Sequence, residues 1–224
     1  GMRLVDLYIP AILYARNLVE NIADSDIGVE EVHLQLEQHY LGGRHNATDA
    51  GIEHPVYDSG WFPVVAYIDE LLLTSKWPQR RFWQKDSLQR KYFNTTNAGS
   101  EFFERLNLLN KHGEDRTVRE VFLLCMGLGF KGKYYYPGDR PKLEAVREFN
   151  MGLLLPDEAQ KNLEQSVLFR GAFSKEQLAH REQKKRLSLI PFLVGFPIVV
   201  IGGSFVYYAV QIRTVLNELV KLVS

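Results

Sequence analysis

Residues 187–212, LSLIPFLVGFPIVVIGGSFVYYAVQI, form an uncharged apolar run in the last part of the chain. As an α-helix, these 26 residues would extend about 39 Å, at about 1.5 Å per residue. The apolar core of a bilayer is about 30 Å thick, and a single spanning segment must be helical to satisfy its own backbone hydrogen bonds. The run therefore predicts one transmembrane helix.

A buried helix in a soluble core is the alternative interpretation of this run. It is less favoured, because 24% of the 224 residues are charged and few remain to surround 26 apolar positions. Gly195 and Gly202 lie seven positions apart, on one helix face, with Gly203 beside the second. Small residues let another helix approach closely in lipid, so we expect these glycines to pack against a second membrane helix, with ordinary glycine content as the alternative.

Basic residues are distributed unequally around the apolar run. Residues 181–186, REQKKR, precede it, and only Arg213 and Lys221 follow it as cations. Cationic flanks tend to stay in the cytoplasm, so the sequence predicts a single-pass, tail-anchored protein with a cytoplasmic N-terminus. The predicted divisions are a cytoplasmic helical domain (2–173), a basic juxtamembrane helix (174–186), the membrane helix (187–212) and a short tail on the far side (213–224).

Composition excludes some classes of function. The 27 basic and 27 acidic residues balance, so no extensive basic surface predicts nucleic-acid binding. The single cysteine, Cys125, lies in the apolar stretch VFLLCM and has no partner for an internal disulfide, in agreement with a reducing cytoplasm. Apolar neighbours raise the pKa of a thiol, so we expect Cys125 to pack in a core and not to act as a nucleophile.

The sequence before the apolar run has helical periodicity in apolar residues, and no stretch alternates with period two. This predicts an all-α cytoplasmic domain of about seven or eight helices. Gly42 and Gly43 are expected to end the second helix, residues 44–59 to form a loop, and Thr117 to begin a capping box. The predicted helices cover residues 3–23, 29–40, 61–74, 82–93, 98–110 (with Asn97 as N-cap), 121–128, 139–149 and 156–169.

Asp69 and Glu70 are adjacent acids in the predicted helix 61–74. Neighbours on one helix diverge by about 100°, whereas catalytic carboxylates converge across a pocket. We therefore expect a solvated or partner-facing pair, and we predict that both residues bind a partner protein.

Two further patterns resemble ligand sites but lack the required spacing. His33, His39, His45 and His54 do not have the three- or four-residue spacing with which one helix presents two metal ligands. The glycine-rich stretch 127–132 follows a predicted helix, whereas phosphate-binding loops precede one. The sequence therefore predicts no metal, no cofactor and no catalytic residue.

Three stretches stand in a fixed order: YIDELLLTSKW at 67–77, NAGSEFFERL at 97–106 and LCMGLGFKGKY at 124–134. They resemble the successive signatures of the DotU family, also called TssL or IcmH. Each stretch alone is a weak signal, but all three in order, together with the late apolar run, are specific. The motif positions, to which the resemblance assigns structural roles, are Trp77, Gly99, Phe102, Phe103, Leu106, Gly129, Phe130, Gly132 and Tyr134.

The resemblance implies an inner-membrane subunit of a bacterial type VI secretion system, with the type IVB system as the alternative. Such a subunit is not an enzyme. Its cytoplasmic domain, two three-helix bundles forming a hook, ties the baseplate and contractile apparatus to the envelope, and its tail lies in the periplasm. The implied partners are an ImcF/TssM-like inner-membrane protein, the baseplate subunit TssK and, indirectly, an outer-membrane lipoprotein; self-association is left open.

Two readings of other classes remain open at this point. A membrane-tethered enzyme would need convergent Asp, Glu or His residues, which the spacings do not assemble. A tail-anchored adaptor unrelated to secretion would need only the apolar run.

Overall fold

Eight α-helices make up most of the part of the chain that the structure describes. The computed structural model describes residues 1–21, 27–156 and 159. The described ranges contain three short 3₁₀ turns and no β-strand, so the all-α prediction is confirmed for these residues. The helices are α1 (Ile9–Glu20), α2 (Val29–Asp49), α3 (His54–Thr74), α4 (Arg80–Lys85), α5 (Leu88–Phe93), α6 (Ala98–Leu108), α7 (Glu114–Gly127) and α8 (Arg140–Leu153).

Helix α3 lies at the centre of the described residues. Its stretch 61–68, WFPVVAYI, has no polar face, so each side of the helix has to be covered by other elements. Helices α1, α2, α4, α5, α6 and α7 all contact α3. One hydrophobic cluster consequently extends from Leu4 to Phe130. The hook of two three-helix bundles stays a prediction.

Two glycines inside α2 and α3 allow close packing. A Cβ on Gly43 would collide with the hydroxyl of Tyr57, and a Cβ on Gly60 would collide with the hydroxyl of Tyr8. The Tyr8 hydroxyl donates to the Tyr57 carbonyl oxygen at 2.7 Å, and the Tyr57 hydroxyl donates to the Tyr40 carbonyl oxygen at 3.0 Å. The prediction that Gly42 and Gly43 end the helix is therefore wrong, because the helix continues through them to Asp49. The predicted loop 44–59 is reduced to residues 50–53.

Two other predicted boundaries differ from the structure. Helix α7 begins at Glu114, so the capping box predicted at Thr117 is wrong; Thr117 lies inside the helix, and its hydroxyl donates to the Glu114 carbonyl oxygen at 2.7 Å. Gly113, with φ of 71°, makes the turn into the helix. The predicted helix 82–93 is divided into α4 and α5 at Asp86 and Ser87.

The C-terminal predictions lie outside the described residues. These are the helix 156–169, the basic juxtamembrane helix, the membrane helix 187–212 with Gly195, Gly202 and Gly203, and the tail. Within the ranges that the structure does describe, no helix combines the length and the apolar character needed to cross a bilayer.

Candidate functional site

Asp69 is a buried carboxylate in α3 that holds α4 and α5. Its side chain accepts the indole N–H of Trp83 at 2.8 Å, the backbone N–H of Leu88 at 3.0 Å and the backbone N–H of Gln89 at 2.8 Å. The two backbone donors belong to the first turn of α5. The N–H groups of a first turn have no carbonyl acceptor within their own helix. Asp69 therefore caps α5 from a different helix.

Burial has the largest effect on the pKa of Asp69. Only 1% of the residue is exposed, so of the two expected alternatives, a solvated or a partner-facing acid, the solvated one is wrong for Asp69. The cause is α5, which packs over this part of α3 and removes the carboxylate from water. Loss of hydration raises the pKa of Asp69 to about 6, although the three hydrogen bonds favour the charged form.

Glu70 points away from Asp69 and holds a turn. Its two carboxylate oxygens accept the backbone N–H groups of Lys131 at 2.9 Å and of Gly132 at 2.8 Å. The residue is half-buried, and burial raises its pKa against the opposing effect of these two donors. The adjacent acids thus diverge, as expected for one helix, and each fixes a separate segment of backbone.

The turn held by Glu70 also touches α6. The position of a Cβ on Gly99 would be 3.4 Å from the backbone of Gly132, and a Cβ on Gly132 would strike the Gly99 carbonyl oxygen and the ring of Phe130. Gly132 has φ of 52°, which favours glycine. We call Glu70, Gly99, Phe130 and Gly132 the motif junction, because they bring the three sequence motifs together.

Aromatic side chains fill the space behind the motif junction. The ring centroid of Phe130 lies 4.2 Å from that of Phe102, and the ring of Tyr134 meets Phe103 edge to face at 4.8 Å. Leu106 is fully buried on the same helix as Phe102. These side chains pack against one another behind the motif junction. The structural role that the resemblance assigns to them stays a prediction.

Trp77 and Gly129 complete the motif positions. Trp77 is fully buried; its indole N–H donates to the Ile27 carbonyl oxygen at 3.3 Å, and its ring lies 5.7 Å from that of Trp83. Gly129 has φ of 109° in the turn that follows α7. Trp77 therefore ties the end of α3 to the segment before α2, while Gly129 permits the chain to leave α7.

A family model described as "Type VI secretion system protein DotU" matches residues 3–213. The chain belongs to the DotU family. No curated protein matches the sequence.

Solved TssL structures are similar to this DotU-family chain. The cytoplasmic domain of TssL from Acinetobacter baumannii is 22% identical with a TM-score of 0.54, and the match covers 68% of this chain and 99% of that one. SciP/TssL of the type VI secretion system of enteroaggregative Escherichia coli 042 is 25% identical with a TM-score of 0.52, covering 65% and 85%. TssL from Vibrio cholerae is 21% identical with a TM-score of 0.54, covering 67% and 94%. These likenesses show a shared helical fold.

The described part of this DotU-family chain does not gather a metal-binding set of side chains. Within residues 1–21, 27–156 and 159, no three His, Cys, Asp or Glu residues lie close enough together to hold a metal ion. Cys125 is fully buried, as predicted, and burial raises its pKa. The carboxylate oxygens of Asp69 and Glu70 accept hydrogen bonds from backbone and indole N–H groups. What these residues can do chemically is to hold segments in place.

Among the buried polar residues that sequence reasoning missed are His33 and Arg119. His33 stacks on Trp83 with ring centroids 4.3 Å apart, and its Nε2 lies 2.6 Å from the Asp86 carbonyl oxygen. Arg119 in α7 donates to the Asn150 side-chain oxygen of α8 and to the Leu109 carbonyl oxygen, and burial lowers its pKa. Helical spacing could have found both, since each lies three positions from an apolar residue on the buried face of its own helix.

Proposed function

We propose that the chain is a non-enzymatic structural subunit that anchors the baseplate and contractile apparatus of a type VI secretion system to the bacterial inner membrane. The observation that carries the proposal is the match to the DotU family over residues 3–213, a range that includes the apolar run 187–212. The family description names the type VI system, so we favour it over the type IVB alternative.

The internal bonding of the acidic pair supports a structural role for the described residues. A general acid or base needs a carboxylate that can reach a substrate, whereas Asp69 is 1% exposed and already accepts three hydrogen bonds. Glu70 uses both oxygens on the turn at Lys131 and Gly132. A domain fixed in this way is suited to transmit force between partners.

For partners, we propose an ImcF/TssM-like inner-membrane protein and the baseplate subunit TssK, with an outer-membrane lipoprotein reached indirectly. The partner-binding role of Asp69 and Glu70 stays a prediction. Because Asp69 is buried, it would act on a partner only through the position of α5, whereas half-buried Glu70 would act through the turn that it holds.

Membrane anchoring can be tested with the full chain and a matched truncation. We expect the full chain in washed bacterial membranes, and a chain that ends after residue 186 in the soluble fraction. A tag after Ser224 should be cut by protease only when the periplasm is opened. A full chain that washes off the membrane, or a tag that stays protected in spheroplasts but is cut in inverted vesicles, would contradict the proposal.

A further inference from the structure

A surface groove of about 520 Å³ lies beside the motif junction, between the turn after α7 and the first half of α8. Its deep part is apolar: Met126 and Phe130 are buried, and Leu143 of α8 is half-buried. A groove of this size accepts one or two side chains of a peptide.

The rim of the groove combines cations with exposed aromatic rings. Tyr135 is 56% exposed and Tyr136 is 73% exposed, high values for large aromatic residues. Lys131 and Arg140 are also exposed on the lining, and Lys131 Nζ lies 5.7 Å from the centroid of the Tyr135 ring.

Neither of these two cations forms an ion pair within the part of the chain that the structure describes, although the charge of Lys131 lies near enough to Glu70 to oppose the rise in the pKa of that carboxyl. By contrast, Arg147, deeper along α8, has Glu144 at 3.5 Å, and Lys142, outside the groove, has Asp139 at 3.7 Å. Tyrosine and arginine are enriched at protein interfaces, and cations without an ion pair attract acidic groups of a partner.

One residue that lines the groove, Gly127, has no side chain. Gly127 is the last residue of α7 and lines the groove, and a Cβ added to it would meet no atom within 4 Å. Its backbone does not require glycine, since its φ is not positive. A side chain at this position would therefore extend into open space at the groove lining.

We propose that this groove binds an acidic peptide segment of a partner protein, with an apolar side chain of that segment between Phe130 and Leu143 and its carboxylates at Lys131 and Arg140. Charge complementarity selects this occupant, because the lining carries three cations, Lys131, Arg140 and Arg147, against one carboxylate, Glu144. A nucleic acid would require a longer basic surface. The inference goes beyond the anchoring role, and peptide binding can fail while membrane insertion is retained.

The test uses the full chain in micelles of a non-ionic detergent and a fluorescein-labelled peptide of about ten residues that alternates leucine with glutamate, followed by fluorescence anisotropy. We expect saturable binding with a Kd on the order of 10–100 µM. Binding should weaken as salt is raised from about 0.05 M to about 0.5 M. The counterpart with lysine in place of glutamate, and micelles without protein, are the controls.

Two pairs of variants locate the binding. Arg140→Glu should weaken it at least about tenfold, whereas Lys142→Glu, the same charge change outside the groove, should leave Kd within about twofold. Gly127→Phe should fill the groove and abolish binding, whereas Gly138→Phe adds the same ring at an exposed turn residue with open space around it. Unchanged thermal unfolding confirms that each variant is folded.

Three results would overturn the proposal: no saturable binding by the intact chain, equal weakening by Arg140→Glu and Lys142→Glu, or equal affinity for the lysine peptide. If Gly127→Phe lowers the unfolding temperature, the two charge variants alone decide. Membrane fractionation of the same samples separates this outcome from a failure of the anchoring proposal.

Discussion

The motif junction and the neighbouring groove share the turn after α7 but differ in how their polar groups are satisfied. At the junction, both oxygens of Glu70 accept backbone N–H groups, and nearby Asp69 accepts three hydrogen bonds. In the groove, Lys131 and Arg140 are exposed and lack an ion-pair partner in the described ranges. Groups with all their bonds made inside the fold stabilise it, and exposed unpaired groups can bind something else.

The largest expected effect on stability comes from removing the buried carboxylate of Asp69. Asp69→Ala leaves three buried donors, those of Trp83, Leu88 and Gln89, without an acceptor. We expect the free energy of unfolding to fall by about 3 kcal/mol, since removal of a buried charge offsets part of a larger loss. Urea titration followed by tryptophan fluorescence measures it. The matched groove variant, Arg140→Ala, should change stability by less than about 0.5 kcal/mol, and equal effects would contradict the comparison.

The pH dependence of stability tests separately whether Asp69 is buried in the folded chain. Asp69 has a pKa of about 6 in the folded chain and 3.8 as its ordinary value. Between these values the folded chain holds a proton that the unfolded chain releases, so the free energy of unfolding falls as pH rises from about 4 to about 6. Relative to Asp69→Asn, which cannot titrate, the intact chain should lose up to about 3 kcal/mol over this range and nothing further above it. If the difference in the free energy of unfolding between the intact chain and Asp69→Asn did not change with pH, Asp69 would be hydrated and not buried.

Gly132 of the motif junction and Gly127 of the groove allow a matched pair of substitutions with a smaller expected effect on stability. Gly132→Ala places a Cβ at φ of 52° against the Gly99 carbonyl oxygen, and we expect a loss of about 2 kcal/mol. Gly127→Ala adds the same atom at a helix position with open space, where stability should be unchanged or rise by up to about 1 kcal/mol. Thermal unfolding of both variants distinguishes them, and a harmless Gly132→Ala would mean that the turn is not in contact with α6.

The smallest effect concerns Glu70. Glu70→Gln keeps one acceptor and turns an amide N–H toward the other backbone donor, so we expect a loss of about 1 kcal/mol. Hydrogen exchange at the Lys131 and Gly132 amides should accelerate roughly fivefold, corresponding to that loss. The Tyr134 amide, which donates to the Lys131 carbonyl oxygen and not to Glu70, is the internal control and should accelerate less. Uniform acceleration of all three would indicate general destabilisation instead.

Local sequence patterns predicted the helices where the local signal and the distant packing agree. Helix α6 follows its apolar spacing, and the structure places Asn97 before it as expected. The cap itself comes from elsewhere, because the Gln89 side chain accepts the Ala98 N–H at 3.0 Å. The start of a helix can thus be predicted from the sequence even where the residue that accepts the hydrogen bond of its first N–H cannot.

The errors arose where a distant residue decides the outcome. The sequence predicts a helix end at Gly43, but the helix continues, and the Tyr57 hydroxyl occupies the space that a side chain at this position would need. The sequence predicts a solvated or partner-facing Asp69, but α5, some twenty residues later in the chain, covers it. Apolar spacing places Phe102 and Leu106 on one face of a helix, but no spacing rule brings Gly99 to Gly132, and only the family resemblance groups these positions.

The most direct test of the account is purification of the full chain from detergent-solubilised membranes of a bacterium with an active type VI system. We predict that an ImcF/TssM-like protein and TssK accompany the intact chain, and that Asp69→Ala reduces both while Lys142→Glu retains them. Recovery of the intact chain without either partner, from membranes in which both are present, would contradict it.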